Sequence, residues 1–153
     1  MQPGCVTSRS VYNTTMKNKA PPTKKTVYIF GNPDLAIDSL PIRLIPQLQK
    51  QNPDFTFILK DPNEEWDVPE EMLVIDTAIN AKKVTIFKDL KSFMTGPRLS
   101  MHDFDALSNL LFLEKLGRLK KVKIIAVPPD IDPQTALREI SARLRLAEKK
   151  RGK

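Results

Sequence analysis

At 153 residues the chain suits one globular domain, and its 41% hydrophobic and 28% charged content is slightly polar for a compact fold. The net charge of +7 sits at the ends: residues 1–25 carry +5 with no acid, residues 148–153 carry +3, and residues 26–147 hold 16 basic against 17 acidic side chains. A near-neutral interior stretch argues against a specific nucleic-acid groove. The single cysteine, Cys5, leaves no disulfide and no cysteine-ligated zinc.

Residues 1–25 are rich in Ser, Thr, Asn and Pro and have no hydrophobic periodicity, so a disordered basic tail is expected there. Residues 26–147 are then the folded domain, and 148–153 a basic C-terminal tail. No apolar stretch suits a signal peptide or a membrane span, which predicts a cytoplasmic protein without membrane insertion.

"KTVYIFGNP" (25–33) is a β-branched and aromatic run stopped by Gly-Asn-Pro, a strand and its turn. In "DSLPIRLIPQLQKQ" (38–51), Leu40, Leu44, Ile45 and Leu48 have helical spacing. Asp38 or Ser39 can cap that helix, Pro41 suits its first turn, and Pro46 predicts a kink. "DFTFILK" (54–60) is a second strand, "DPNEEWDVPEE" (61–71) an acidic loop or short helical turn, and "MLVIDTAI" (72–79) a third strand. The third run is continuously apolar, as strands covered on both faces are. "KKVTIFK" (82–88) reads as an edge strand, followed by a long connection through "DLKSFMTGPRLS". The helix at 103–116 should end at a C-capping Gly117. A last strand (121–129) and a final helix complete the chain. Strands alternating with helices predict a single three-layer α/β/α domain, with a mainly parallel, about five-stranded twisted sheet and an edge strand.

In an open α/β sheet, ligands bind beyond the carboxyl ends of the strands. Asp38 follows the first strand and turn, Asp76 ends the apolar part of the third strand, and His102, the only histidine, opens the helix before the last strand. Three chain segments thus converge on one rim. Two carboxylates and one imidazole suit Ni, Zn, Mn or Fe better than a hard-cation cage. Each residue also has a plainer reading. Asp38 can be an N-cap, and His102 can be a surface residue in a first turn where Ser100 and Asp103 have capping-box spacing. Asp76, closing a buried strand, needs a partner to offset its desolvation.

The ordered set "GNP" with Asp38, "VIDTA" with Asp76 and "SMHDF" with His102 resembles the NiFe-hydrogenase maturation endopeptidases, over about residues 26–147. The resemblance implies an aspartyl-type peptidase that binds the precursor of a NiFe-hydrogenase large subunit after nickel insertion and removes a C-terminal extension. It implies that Asp38, Asp76 and His102 contact nickel carried by the substrate, rather than a permanently bound cofactor. Asp38, whose loop follows the first strand directly into the cleft, is the candidate catalytic carboxylate, and Asn32 and Asp61 are candidate substrate-binding residues. The chain departs from the family's pattern at Ile37, often acidic there, at Pro41, often glycine, and at 61–64. There the family's Asp-Gly-Gly-Thr loop reads "DPNE", keeping Asp61 but losing both glycines. That loop gives a rival reading, a non-proteolytic checkpoint or chaperone of the nickel site on the same scaffold.

Overall fold

The computed structural model describes residues 21–61, 64–94 and 101–149, with the side chains of 101–106 outside that description. Five strands, β1 (Lys25–Ile29), β2 (Phe55–Leu59), β3 (Glu71–Thr77), β4 (Thr85–Phe87) and β5 (Lys121–Val127), form one sheet in the order β2-β1-β3-β5-β4. All neighbours are parallel except β4, which runs antiparallel on β5 at the edge expected for it. β3 and β5 are in full seven-residue register, from Glu71 beside Lys121 to Thr77 beside Val127. Both are buried on both faces after their first residues, which is why their sequences are continuous apolar runs rather than alternating ones.

Helices cover both faces. On one side α1 (Leu40–Arg43), α2 (Ile45–Gln51) and α5 (Pro133–Lys149) set Leu40, Leu44, Leu48, Ile140 and Leu144 against Ile29 and Ile75. On the other, α3 (Leu90–Met94) and α4 (Met101–Lys115) set Leu90, Phe93, Leu107 and Leu110 against Val74 and Ile124. Burying a Leu or Ile side chain of this kind contributes about 1.5–3 kcal/mol each, so the two apolar layers are the main drive to fold.

The helix expected over 38–51 is divided. A 3-10 turn at Ala36–Asp38 precedes α1, and the chain breaks at Leu44 before α2. Pro46 is the cause: it has no N–H, and its ring would clash with the carbonyl four residues back in a continuous helix. The apolar spacing survives the break, because Leu40, Leu44 and Leu48 all stay buried in one cluster. The connection after β4 also holds a helix that the sequence reading lacked. Asp89 Oδ1 accepts the Ser92 N–H at 2.6 Å and caps α3.

α4 ends as expected. Gly117 adopts φ +70°, Arg118 N–H bonds to the Leu113 carbonyl and Gly117 N–H to the Glu114 carbonyl, the paired bonds of a Schellman cap. The segment 64–70 is an irregular loop with no helix, and Trp66 pins it to the sheet by packing on Tyr28, the tilted rings 5.0 Å apart. β1 begins at Lys25 and α5 runs to Lys149, with Lys25 Nζ and Glu148 Oε1 paired at 2.6 Å. These residues, assigned to the tails by composition, are thus built into the sheet and the last helix; residues 1–20 and 150–153 lie outside the described residues. No helix among the described residues is long and apolar enough to cross a membrane.

Candidate active site

β1 and β3 are adjacent and parallel, so their carboxyl ends open on the same rim. Tyr28 lies beside Val74 and Ile29 beside Ile75, and the Phe30 N–H bonds to the Ile75 carbonyl at 3.0 Å. One step further along the same register, the chain reaches Asp76 on β3 and the Gly31 turn on β1.

Asp38 is held over that turn. Its Oδ2 accepts the Asn32 N–H at 2.9 Å, while Asn32 Oδ1 accepts the Asp34 N–H at 2.9 Å. The Asn32 side chain therefore forms a local Asx turn, and the Asp38 carboxylate clamps it from above. Asp38 is not the N-cap of α1. Nor does the Ser39 side chain cap it: Ser39 is in the αR region, not the extended conformation of a capping residue, and its Oγ donates to the Ala36 carbonyl at 3.2 Å. From the 3-10 turn at 36–38, the Asp38 carboxylate reaches back to Asn32 and the Ser39 hydroxyl to Ala36. Gly31 makes the close approach possible. At φ +152°, a Cβ there would lie 2.7 Å from the Asp38 carbonyl oxygen.

Asp76 is 6% exposed, the one buried charged side chain among the described residues. Its Oδ1 accepts the Thr77 N–H at 2.8 Å. The carboxylate faces the α3/α4 side of the sheet, where it borders a small cavity of about 10 Å³ with Phe30, Phe93, Leu107 and Leu110. Leu107 lies five residues after His102 on α4, about 7.5 Å along the helix axis. The helix whose first turn carries His102 is therefore the one packed against Asp76. The His102 side chain, and the cap expected from Ser100, lie outside the described residues. The described residues contain no group of three His, Cys, Asp or Glu side chains able to hold a metal, in a set that omits His102.

Asn32 and Asp61 fall on the same rim. Asn32 is exposed and bonded to Asp38 through its backbone. Asp61 is exposed just past β2, the neighbour of β1, and its carbonyl accepts the Glu64 N–H at 3.2 Å. Lys60 lies over the Trp66 ring at 5.4 Å, which ties the start of this acidic segment to its middle. Two features escaped the sequence reading. Leu35, just before the 3-10 turn, and Ile37, within it, are 40% and 48% exposed close in sequence to Asp38. The Thr77 hydroxyl, next to Asp76, is buried without a hydrogen-bond partner among the described residues. An isolated Trp among acids, "EEWDVPEE", was the visible signal for the Tyr28 stack; nothing in the local sequence marks Thr77.

No family model matches the sequence, and no curated protein matches it. Among solved structures, the chain is similar to the hydrogenase maturating endopeptidase HybD from E. coli, at 19% identity and a TM-score of 0.54, over 81% of this chain and 94% of that one. It is also similar to an endopeptidase from Escherichia coli with a solution structure, at 15% identity and a TM-score of 0.53, over 80% of this chain and 94% of that one. The five-stranded, mainly parallel α/β/α domain of this chain is thus a fold it shares with a hydrogenase maturating endopeptidase.

Proposed function

We propose that this protein is an endopeptidase that removes the C-terminal extension of a NiFe-hydrogenase large-subunit precursor once nickel is in place. The observation that carries the reading is the placement of Asp38 on the loop that follows β1 and of Asp76 at the carboxyl end of the adjacent β3, against the helix whose first turn carries His102, in a fold shared with such an endopeptidase. Asp38, Asp76 and His102 read nickel borne by the substrate, and the metal holds the scissile segment at the rim. Holding a reactant in place in this way can supply several kcal/mol toward a hydrolytic barrier.

In this reading Asp38 is the carboxylate that does more than bind. Its Oδ2 bond to Asn32 fixes its orientation, and its loop leads straight from β1 into the site. The carboxylate accepts a proton as water attacks the scissile carbonyl; the C–N bond breaks, and the proton passes to the departing amine. Asn32 and Asp61 line the path of the extension. The altered loop at 61–64 favours a second reading, binding of the nickel-loaded precursor without cutting. A gel-shift assay separates the two. Wild type should cut nickel-loaded precursor and leave nickel-free precursor whole, and His102→Ala should lose the preference for the loaded form. Cutting of nickel-free precursor would end the nickel-reading mechanism, and binding of loaded precursor without cutting would establish the second reading.

A further inference from the structure

Between the segment 64–68 and the second half of α4 lies an open groove of about 660 Å³. Glu64, Glu65, Trp66 and Asp67 form one wall, and Phe112 and Arg118 stand on the other. The three acids are exposed, and no ion pair among the described residues involves any of them. Other acids near the amino ends of the strands already have lysine partners: Glu70 with Lys120, Glu71 with Lys121 and Glu148 with Lys25. The groove is also partly apolar. Phe112 is 59% exposed, and Trp66 is half-buried against Tyr28. Acids that outnumber the lining cation Arg118, beside an open aromatic side chain, fit a partner that is basic and carries apolar side chains.

Such a segment is tethered within reach. Residues 1–20, outside the described residues, contain Arg9, Lys17 and Lys19 and no acid, with Tyr12 and Met16 among them. They join the domain through Pro21 to Lys24, directly before β1. Lys24 stands about 13 Å along the strand from Tyr28, the residue that Trp66 packs on. The five residues from Lys24 back to Lys19 span up to about 17 Å when extended, and each earlier residue adds about 3.3 Å. The route is open as well. The register between β1 and β3 covers only Tyr28 and Ile29, and a cleft of about 520 Å³ opens between Lys25 and Thr26 on one side and Pro69, Glu71 and Leu73 on the other. Pro69 adjoins Val68 of the groove.

We propose that the chain's own basic segment, residues 12–19, docks in this groove, its lysines on Glu64, Glu65 and Asp67 and its apolar side chains on Phe112 and Trp66. The tether makes the contact intramolecular, with an effective concentration on the order of mM, so weak contacts suffice to fill the groove. Because the charges are exposed, added salt screens the contact. The docked segment bridges the wall that follows Asp61 and the helix whose first turn carries His102, and so braces two elements that border the candidate site. The proposal does not rest on the endopeptidase reading, and its test involves no cleavage.

The test follows the full chain by amide NMR with a nitroxide beside the tail lysines, on the variant Cys5→Ser, Asn18→Cys, since Cys5 is the chain's only cysteine. In dilute ¹⁵N-labelled protein at low salt, relaxation enhancement should centre on Glu64 to Val68 and on Asn109 to Arg118. Replacing the acids together (Glu64→Gln, Glu65→Gln, Asp67→Asn) should lower it there at least ~3-fold, as loss of three exposed charge contacts shifts a tethered equilibrium. Salt at about 0.5 M should act in the same direction. If the triple variant misfolds, Lys17→Gln with Lys19→Gln poses the same question from the tail. Enhancement confined to Pro21 to Lys24 and the start of β1, enhancement centred on Asp34 and Asp61 at the rim, or enhancement at the groove that survives loss of the acids would each overturn the proposal. So would enhancement carried over to nitroxide-free ¹⁵N chains mixed with spin-labelled ¹⁴N chains, which would make the occupant the tail of a second copy.

Discussion

Gly31 sets the geometry of Asp38 without contributing any chemistry of its own. A Cβ at this position would lie 2.7 Å from the Asp38 carbonyl oxygen, a backbone atom that cannot swing away, and φ +152° is unfavourable for any L side chain. Gly31→Ala should destabilise the fold by about 1–3 kcal/mol, read from urea unfolding, and should lower cleavage although every candidate ligand is intact. A Gly31→Ala variant with wild-type stability would mean the turn relaxes freely. Thr77 predicts the opposite sign. A buried, unpartnered hydroxyl costs about 1–3 kcal/mol, so Thr77→Val, which keeps the shape, should raise stability by about 1 kcal/mol in the same measurement. The sequence marked Asp38, Asp76 and the Gly-Asn-Pro turn, because strand-ending carboxylates and turn residues are local signals. It left open whether Asp38 caps the helix or serves the rim, and the clamp on Asn32 was not legible, since it depends on the 3-10 turn at 36–38 and on how closely Gly31 allows the two loops to approach.

The elements themselves were legible in proportion to how strongly local pattern agrees with tertiary demand. β3 and β5 read clearly as buried strands because both faces are covered. α5 reads clearly because its apolar stripe is amphipathic and its start is capped: Asp132 Oδ2 accepts the Thr135 N–H at 2.9 Å and the Thr135 hydroxyl at 3.1 Å, with Pro133 next in the chain. α3 was missed because five residues give periodicity no room; only the Asp89–Ser92 spacing signalled it. Both capping carboxyls titrate below the ordinary carboxylate range, chiefly because of the backbone N–H of Ser92 for Asp89 and of Thr135 for Asp132. A lowered folded-state value means the stabilisation is complete above the unfolded value of 3.8 and is lost as pH falls through the folded one. Asp132→Ala should therefore lower the melting temperature by about 2–8 °C at pH 7, and the difference from wild type should shrink in strong acid as the charge is lost. A constant difference down to pH 2 would contradict the charged-cap account.

At the scale of the whole molecule, the excess positive charge at the two ends is legible in composition, and a mainly parallel sheet with a shared rim is legible in strand–helix alternation. The order β2-β1-β3-β5-β4 is not, because nothing local says which strands become neighbours. That order puts the loop that carries Asp38 after the strand next to the one that ends in Asp76, with α4 packed against Asp76. If the rim is the active site, its activity should depend on the Asp38 charge more than on the fold. Asp38→Asn keeps the size of the side chain and an oxygen to accept the Asn32 N–H, but it removes the carboxylate. The most direct test is single-turnover cleavage of nickel-loaded precursor by wild type and Asp38→Asn, with precursor affinity and urea unfolding measured alongside. The account predicts cleavage slower by at least ~10²-fold, the scale of a general-base contribution, with stability unchanged; cleavage by Asp38→Asn at the wild-type rate would contradict it.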